Sequence, residues 1–259
     1  MRISQLFLVT ILAAGIANTA FAQTETAQKK KKKRAAVTPA QKIINHAIEA
    51  KGGRKALAKT MYGILEDSGT YYGAGMELPY NGRYVYDHKK KRFRMEIVDI
   101  FTSVAEMKKA WTSMAGEVKD LEEEALTAAK EELMIGYAMS LLPLRRPNDR
   151  FQLSLAGTEE VEGETCDGVK VTHKQMPDLT IFVSRKTGLI KKSTYMTRMA
   201  EKQFEKVKDE TIYHSYKEFD GIKLPASMTV HRDGEKFVVS KTNKVTFPKS
   251  LDEDEFAKP

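Results

Sequence analysis

Five histidines, one cysteine and a run of three glutamates are the side chains of this sequence best equipped for chemistry. His46, His88, His173, His214 and His231 could in principle hold a metal or carry protons. A metal site needs converging ligands, however, and no two of these stand at the short spacing of a His-x-x-x-His pair. Each is flanked by ordinary strand or helix residues, which assigns them structural or surface roles. Cys166 is alone, so an intramolecular disulfide and a cysteine metal cluster are both ruled out. Glu122, Glu123 and Glu124 would suit acid–base work only if two carboxylates converged. Neighbours on a helix point in different directions, so the run better serves the positive end of a helix dipole. The sequence has no Gly-x-Ser-x-Gly elbow, no Gly-x-x-x-x-Gly-Lys phosphate loop and no Gly-x-Gly-x-x-Gly fingerprint. The expectation is a protein that is not an enzyme, with no catalytic residues, no metal and no cofactor.

The elements that would position any site are mostly strands. Between Asp220-Gly221 and Asp233-Gly234, the residues Ile222, Leu224, Ala226, Met228 and Val230 alternate with Lys223, Pro225, Ser227, Thr229 and His231. Asp-Gly between alternating runs is a strong hairpin signal, because both residues tolerate the positive φ of a tight turn. Similar alternation sets Phe93, Met95 and Ile97 against Arg92, Arg94 and Glu96, and recurs at Phe151–Leu155 and Val169–Thr172. From Tyr62 to about Met114 the pattern predicts four strands, with turns near Gly73–Gly75, at Asn81-Gly82 and at His88–Lys91.

Two segments change period. Thr38-Pro39 is a good helix start, followed by Ile43, Ile44, Ala47 and Ile48 at helical spacing and a stop at Gly52-Gly53. From Asp120 to Leu142, the residues Leu126, Ala129, Leu133, Tyr137 and Leu141 fall on one helical stripe. Asp120 is the expected N-cap, with Glu123 three residues on, and Pro143 the stop. A helix inserted midway through a β-meander cannot join the sheet, so it must lie across one face or one mouth of it.

Residues 1–22 have the form of an export signal, with Arg2, an apolar run from Leu6 to Ile16 and a small-residue site at Ala20-Phe21-Ala22. Export with cleavage after Ala22 is expected, and Gln23 offers no cysteine for lipid attachment. The net charge is +8, but Lys29–Arg34 carries six positive charges. Seven of the 43 basic and one of the 35 acidic residues precede Ala35, leaving 36 and 34 and a near-neutral remainder. That location argues against nucleic acid as a partner and for a solvated basic linker over 23–37. Residues 38–259 suit one domain, expected as a monomer. Trp111 is the lone tryptophan, either plain core or a pocket floor, and twelve methionines offer adaptable apolar surface.

Several stretches together resemble the LolA-like outer-membrane lipoprotein-sorting proteins. They are Ala50-Lys-Gly-Gly-Arg-Lys-Ala-Leu57, the Trp111 strand with the helix ending Ser140-Leu-Leu-Pro-Leu144, and Val161-Glu-Gly-Glu-Thr-Cys-Asp-Gly-Val-Lys-Val171. Thr180-Ile-Phe-Val, Thr187-Gly-Leu-Ile190, Tyr216-Lys-Glu-Phe-Asp-Gly-Ile-Lys-Leu-Pro225 and Asp254-Glu-Phe-Ala-Lys-Pro259 complete the set. The resemblance implies a mainly β, α+β fold: an unclosed antiparallel β-barrel of about eleven strands with a helical lid over an apolar cavity. It also implies binding of lipoprotein acyl chains or other lipids, with handover proteins at the inner and outer membranes. The expected cavity lining is Phe93, Met95, Trp111, Leu126, Leu133, Tyr137, Leu141, Leu224 and Met228. An envelope sensor signalling to a membrane partner is an alternative use of the same fold, and a hydrolase would need a convergent His–carboxylate cleft.

Overall fold

The computed structural model describes residues 37–73 and 75–259. The export segment 1–22 and all but the last residue of the basic stretch 23–37 lie outside the described residues. Thr38 caps the first helix, α1 (Pro39–Ala50), its hydroxyl accepting from the Gln41 N–H at 3.2 Å with Pro39 at the first position. A short α2 (Gly53–Leu57) follows the Gly52-Gly53 break, where Gly52 has φ +126°.

Thirteen strands among the described residues then make one antiparallel sheet. They are β1 (Tyr62–Gly73), β2 (Met76–Asp87), β3 (Arg92–Ile97), β4 (Phe101–Glu106), β5 (Ala110–Met114), β6 (Glu117–Asp120), β7 (Gln152–Val161), β8 (Glu164–His173), β9 (Met176–Ser184), β10 (Ile190–Met199), β11 (Glu205–Phe219), β12 (Ile222–Arg232) and β13 (Glu235–Thr246). Their spatial order is β6-β5-β4-β3-β2-β1-β13-β12-β11-β10-β9-β8-β7. The expected unclosed antiparallel sheet is present, with a few more strands than the resemblance implied. Consecutive strands β6 and β7 sit at opposite edges, so the chain between them must travel from one edge to the other. The third helix, α3 (Glu123–Met139), makes that journey across one face, touching β4 on one side and β9 and β10 on the other.

The Asp220-Gly221 and Asp233-Gly234 turns form as expected, both residues of each pair at positive φ. Glu162-Gly163 and Ala115-Gly116 repeat that geometry. Asn81-Gly82 is not a turn: β2 runs straight through it. Gly82 is there for space, since a Cβ would collide with the Asp67 carboxylate and the Tyr84 hydroxyl. The stretch after His88–Lys91 breaks into three strands by Met114, making five where four were expected.

The start of α3 also differs. Asp120 ends β6 and pairs with Lys258 at 2.8 Å, while Glu122 occupies the N-cap position without a side-chain cap. The helix stops at Met139, before Pro143, which lies in a 3₁₀ turn (Leu142–Leu144). Its buried face holds Leu133, Met134, Ile135 and Ala138, a stripe rotated from Leu126–Ala129–Leu133–Tyr137–Leu141.

Paired strand residues share a face. The face under α3 carries the main apolar core, where Ile44 and Ile48 of α1 and Met134 and Ala138 of α3 meet Val169, Val171, Leu179 and Ile181. The opposite face is covered at one place by the C-terminal segment Glu253–Phe256. There Phe256 packs on Val85, Val104 and Trp111. Arg92 is 7% exposed, held between Asp87 at 2.8 Å and Glu253 at 2.7 Å over the Phe256 ring. Alternation in β3 therefore does not separate a greasy face from a solvated one, because both faces are covered.

Candidate functional site

A broad opening lies at the C-terminal end of α3, where four separate stretches of chain meet. Met134 and Tyr137 come from α3, Pro143 to Gln152 from the connection to β7, Thr172 to Gln175 from the β8–β9 turn with Asp178 beyond it, and Lys91 from the β2–β3 turn. They bound a cleft of about 1060 Å³. Asn148 fixes the connection, its amide donating to the Pro143 carbonyl at 2.9 Å and its oxygen accepting from the Arg150 and Phe151 N–H groups. That side-chain bonding sets the turn which points Phe151 inward.

The floor is aromatic. Rings run in series from Tyr86 to His88, Tyr137, Phe151 and His173, each centroid 4.4–6.1 Å from the next. Such spacing is that of attractive offset and edge contacts. Burial lowers the His88 pKa to about 3, with the Lys51 charge adding to the effect. His173 is lowered as well, by burial first and then by Lys174, Arg150 and Lys91. Both shifts favour the neutral imidazole, so the two rings join the aromatic series without adding positive charge. Among the described residues no cluster of His, Cys, Asp and Glu could hold a metal ion.

The rim is basic. Lys91 stands 5.5 Å above the Tyr137 ring, and Arg150 and Lys174 border the same opening. An adjoining cleft of about 500 Å³ shares Pro143 and Asn148 and adds Arg54, Arg145 and Arg146. Arg54 donates to the Asn45 side chain and Arg145 to the Leu142 carbonyl.

A second concentration of polar groups lies under the middle of α3. Glu132 accepts from Tyr195 at 2.9 Å and from Thr197, and Glu131 pairs with Arg198 at 3.2 Å, fastening the helix to β10. Beside them Asp209, 3% exposed, meets Arg232 at 3.4 Å. Burial raises Asp209 to about 6, the Glu132 charge adding to it, and burial raises Glu132 too. Farther along, Asp67, 4% exposed, accepts from Tyr80 at 3.0 Å and from Ser240.

Of the nine expected lining residues, Tyr137 borders this cleft and Trp111 lies on the opposite face of the sheet. Phe93 and Met95 share the helix-covered face, with Phe93 stacked 6.2 Å from Tyr84. Leu126 and Leu224 are half-buried, and Met228 packs beside Tyr213 at the edge of the core. Leu133 is nearly buried, while Leu141, past the helix end at φ +65°, is wholly inside the core. Trp111 is 3% exposed beneath Phe256. Phe151, His173 and the basic rim were not expected. The one signal that could have found them is the density of Arg145, Arg146 and Arg150 immediately after a helix stop.

Compared with solved structures, the chain superposes on a DUF1329 family protein from Desulfovibrio piger ATCC 29098 with a TM-score of 0.55 at 15% identity, covering 85% of this chain and 97% of that one. A LolA superfamily protein from Nitrosomonas europaea gives 0.54 at 12% identity, covering 85% and 97%. The fold is LolA-like. A putative outer membrane lipoprotein-sorting protein domain from Vibrio parahaemolyticus aligns equally widely, at 0.53 and 12% identity over 84% and 95%. No protein-family model and no curated protein matches the sequence. At identities this low the likeness is one of fold and carries no site residue across.

Proposed function

We propose that this chain is a periplasmic, non-enzymatic carrier that binds acyl chains of lipids or lipoproteins and shields them on the way to the outer membrane. The observation that carries the reading is the aromatic-floored cleft at the end of α3, which opens onto the apolar core of the helix-covered face. An acyl chain in water costs about 0.8 kcal/mol per exposed CH₂, so a carrier must cover it, and Met134, Tyr137 and Phe151 present apolar surface where a chain would enter. The similarity of fold to a domain named for lipoprotein sorting supports the same reading. Uptake of a long chain would lift α3 from the sheet, breaking the Glu132 contacts to Tyr195 and Thr197 and the Glu131–Arg198 pair. Handover would be to membrane proteins at either side of the compartment.

The test is binding of a fluorescent fatty-acyl probe by the exported protein, with mass spectrometry of its organic extract. Tyr137→Asp should weaken probe binding at least tenfold, because an unpaired carboxylate would stand against the chain. Lys130→Asp on the same helix should leave it unchanged. A wild-type protein that binds no acyl probe and yields no lipid on extraction overturns the reading.

A further inference from the structure

The two adjoining clefts carry six cations, Arg54, Lys91, Arg145, Arg146, Arg150 and Lys174, and none of them forms an ion pair among the described residues. Elsewhere on the domain pairing is common: Arg83, Lys90, Arg92, Arg185, Lys191 and Lys192 all meet carboxylates within 3.1 Å. Two carboxylates reach the rim. Asp178 is already held by Lys170 at 2.6 Å, and Asp149 alone is uncommitted. Like charges gathered around a concavity with low-dielectric walls focus a positive potential into it. The walls combine Met134, Tyr137, Pro143 and Phe151 with the neutral polar side chains of Asn148, Gln152, Thr172 and Gln175. An opening that sets an aromatic and apolar patch beside polar groups and unpaired cations matches an amphiphile with an anionic head.

We propose that the joined clefts seat the phosphate headgroup of a single anionic phospholipid whose acyl chains enter past Tyr137 and Phe151. The proposal rests on the acyl-binding reading and names its ligand class. Arginine suits this task, since its planar fork donates two parallel hydrogen bonds to phosphate oxygens, and four of the six rim cations are arginines. The concavity favours one lipid molecule over a membrane surface, which a flat basic face would serve better. The aromatic floor disfavours free phosphate, which would gain nothing from rings.

The test titrates the exported protein, below the micelle concentration, with dihexanoylphosphatidylglycerol, dihexanoylphosphatidylcholine and inorganic phosphate. The expected result is phosphatidylglycerol binding at least tenfold tighter than phosphatidylcholine. The triple variant Lys91→Gln, Arg150→Gln, Lys174→Gln should bring phosphatidylglycerol down to the phosphatidylcholine level while leaving the latter within twofold. Lys217→Gln with Lys241→Gln, cations that line neither cleft, should change neither. Raising salt from 50 to 500 mM should shrink the preference. If both lipids bind alike in the wild type, the headgroup inference fails and acyl binding stands. If neither binds, the acyl reading fails and takes the inference with it. Phosphate binding as tightly as phosphatidylglycerol would make the ligand a free anion, and co-sedimentation with phosphatidylglycerol vesicles without a one-to-one lipid complex would make it a membrane surface; either overturns the proposal.

Discussion

The helix-covered face of this sheet is two surfaces in one. Across β7–β10 it is a dry core in which Val169, Val171, Leu179 and Ile181 pack against Ile44 and Ile48 of α1. Across β10–β13 and β1–β2 the same face holds Asp209, Arg232, Tyr195, Thr197, Asp67, Tyr80 and Tyr84, partly under α3. Both obey the strand period of two, so alternation alone does not tell them apart. The difference lies in how each satisfies its contents: dispersion and exclusion of water in the first, hydrogen bonds that offset the burial of charge in the second. A face that is half dry and half hydrogen-bonded can keep one end rigid while the other end releases a helix by exchanging partners with water.

The sharpest way to break this comparison is to cut the dry half. Leu179 is fully buried, so Leu179→Ala should cost ~2–5 kcal/mol through lost transfer energy and the cavity left behind. Chemical denaturation would show the midpoint falling with little change in slope. A loss below ~1 kcal/mol would mean that this half is loosely packed.

The next test concerns pH and belongs to the polar half. Asp209 is raised to about 6 by burial and by Glu132, against an ordinary value near 4. The folded state therefore holds this proton more tightly than the unfolded state. Its contribution is fully present below about pH 4 and is lost as pH rises through about 6. Asp209→Asn removes the dependence, so the stability of the variant relative to wild type should rise by ~2–3 kcal/mol between pH 4 and pH 7. Paired denaturation curves at the two pH values measure it. A difference independent of pH would show that Arg232 already cancels the burial of Asp209.

Glu132 tests whether α3 is fastened by the polar half. Glu132→Gln keeps the shape but weakens the bonds from Tyr195 and Thr197, at ~1–2 kcal/mol. Hydrogen exchange should speed up about tenfold in α3 while α1 stays protected. Equal acceleration in both helices would mean that the two halves open as one unit.

Much of the architecture was legible because it rests on local rules. The Asp220-Gly221 and Asp233-Gly234 hairpins, the Thr38 cap and the Gly52-Gly53 break each depend on the backbone freedom or side chain of one or two residues. Asn81-Gly82 misled because a glycine that makes room for Asp67 looks the same in sequence as a glycine that turns. Trp111 misled because parity assigns a residue to a face without saying which face the helix covers; the C-terminal Phe256, far away in sequence, decided it. The cleft was least legible. Its walls come from Lys91, α3, the 143–152 connection and the β8–β9 turn, and only long-range pairing brings these together.

The smallest expected effect is also the finest test of the division between ring and hydroxyl. Tyr80 donates to Asp67 at 3.0 Å within the polar half, where one carboxylate oxygen, Oδ1, has no hydrogen-bond partner among the described residues. Removing the donor with Tyr80→Phe leaves Ser240 as the remaining side-chain bond to Oδ2. That should cost ~1 kcal/mol and push the Asp67 carboxyl, already raised by burial, higher still. Tyr137, in contrast, contributes its ring to the cleft between His88 and Phe151, and its hydroxyl has no hydrogen-bond partner among the described residues. Tyr137→Phe keeps the ring, so stability should change by less than ~0.5 kcal/mol and acyl-probe affinity by less than twofold. If Tyr137→Phe is the more damaging of the two, the cleft recognises its ligand through that hydroxyl, and the contrast between a hydrogen-bonded polar half and a cleft floored by rings no longer holds.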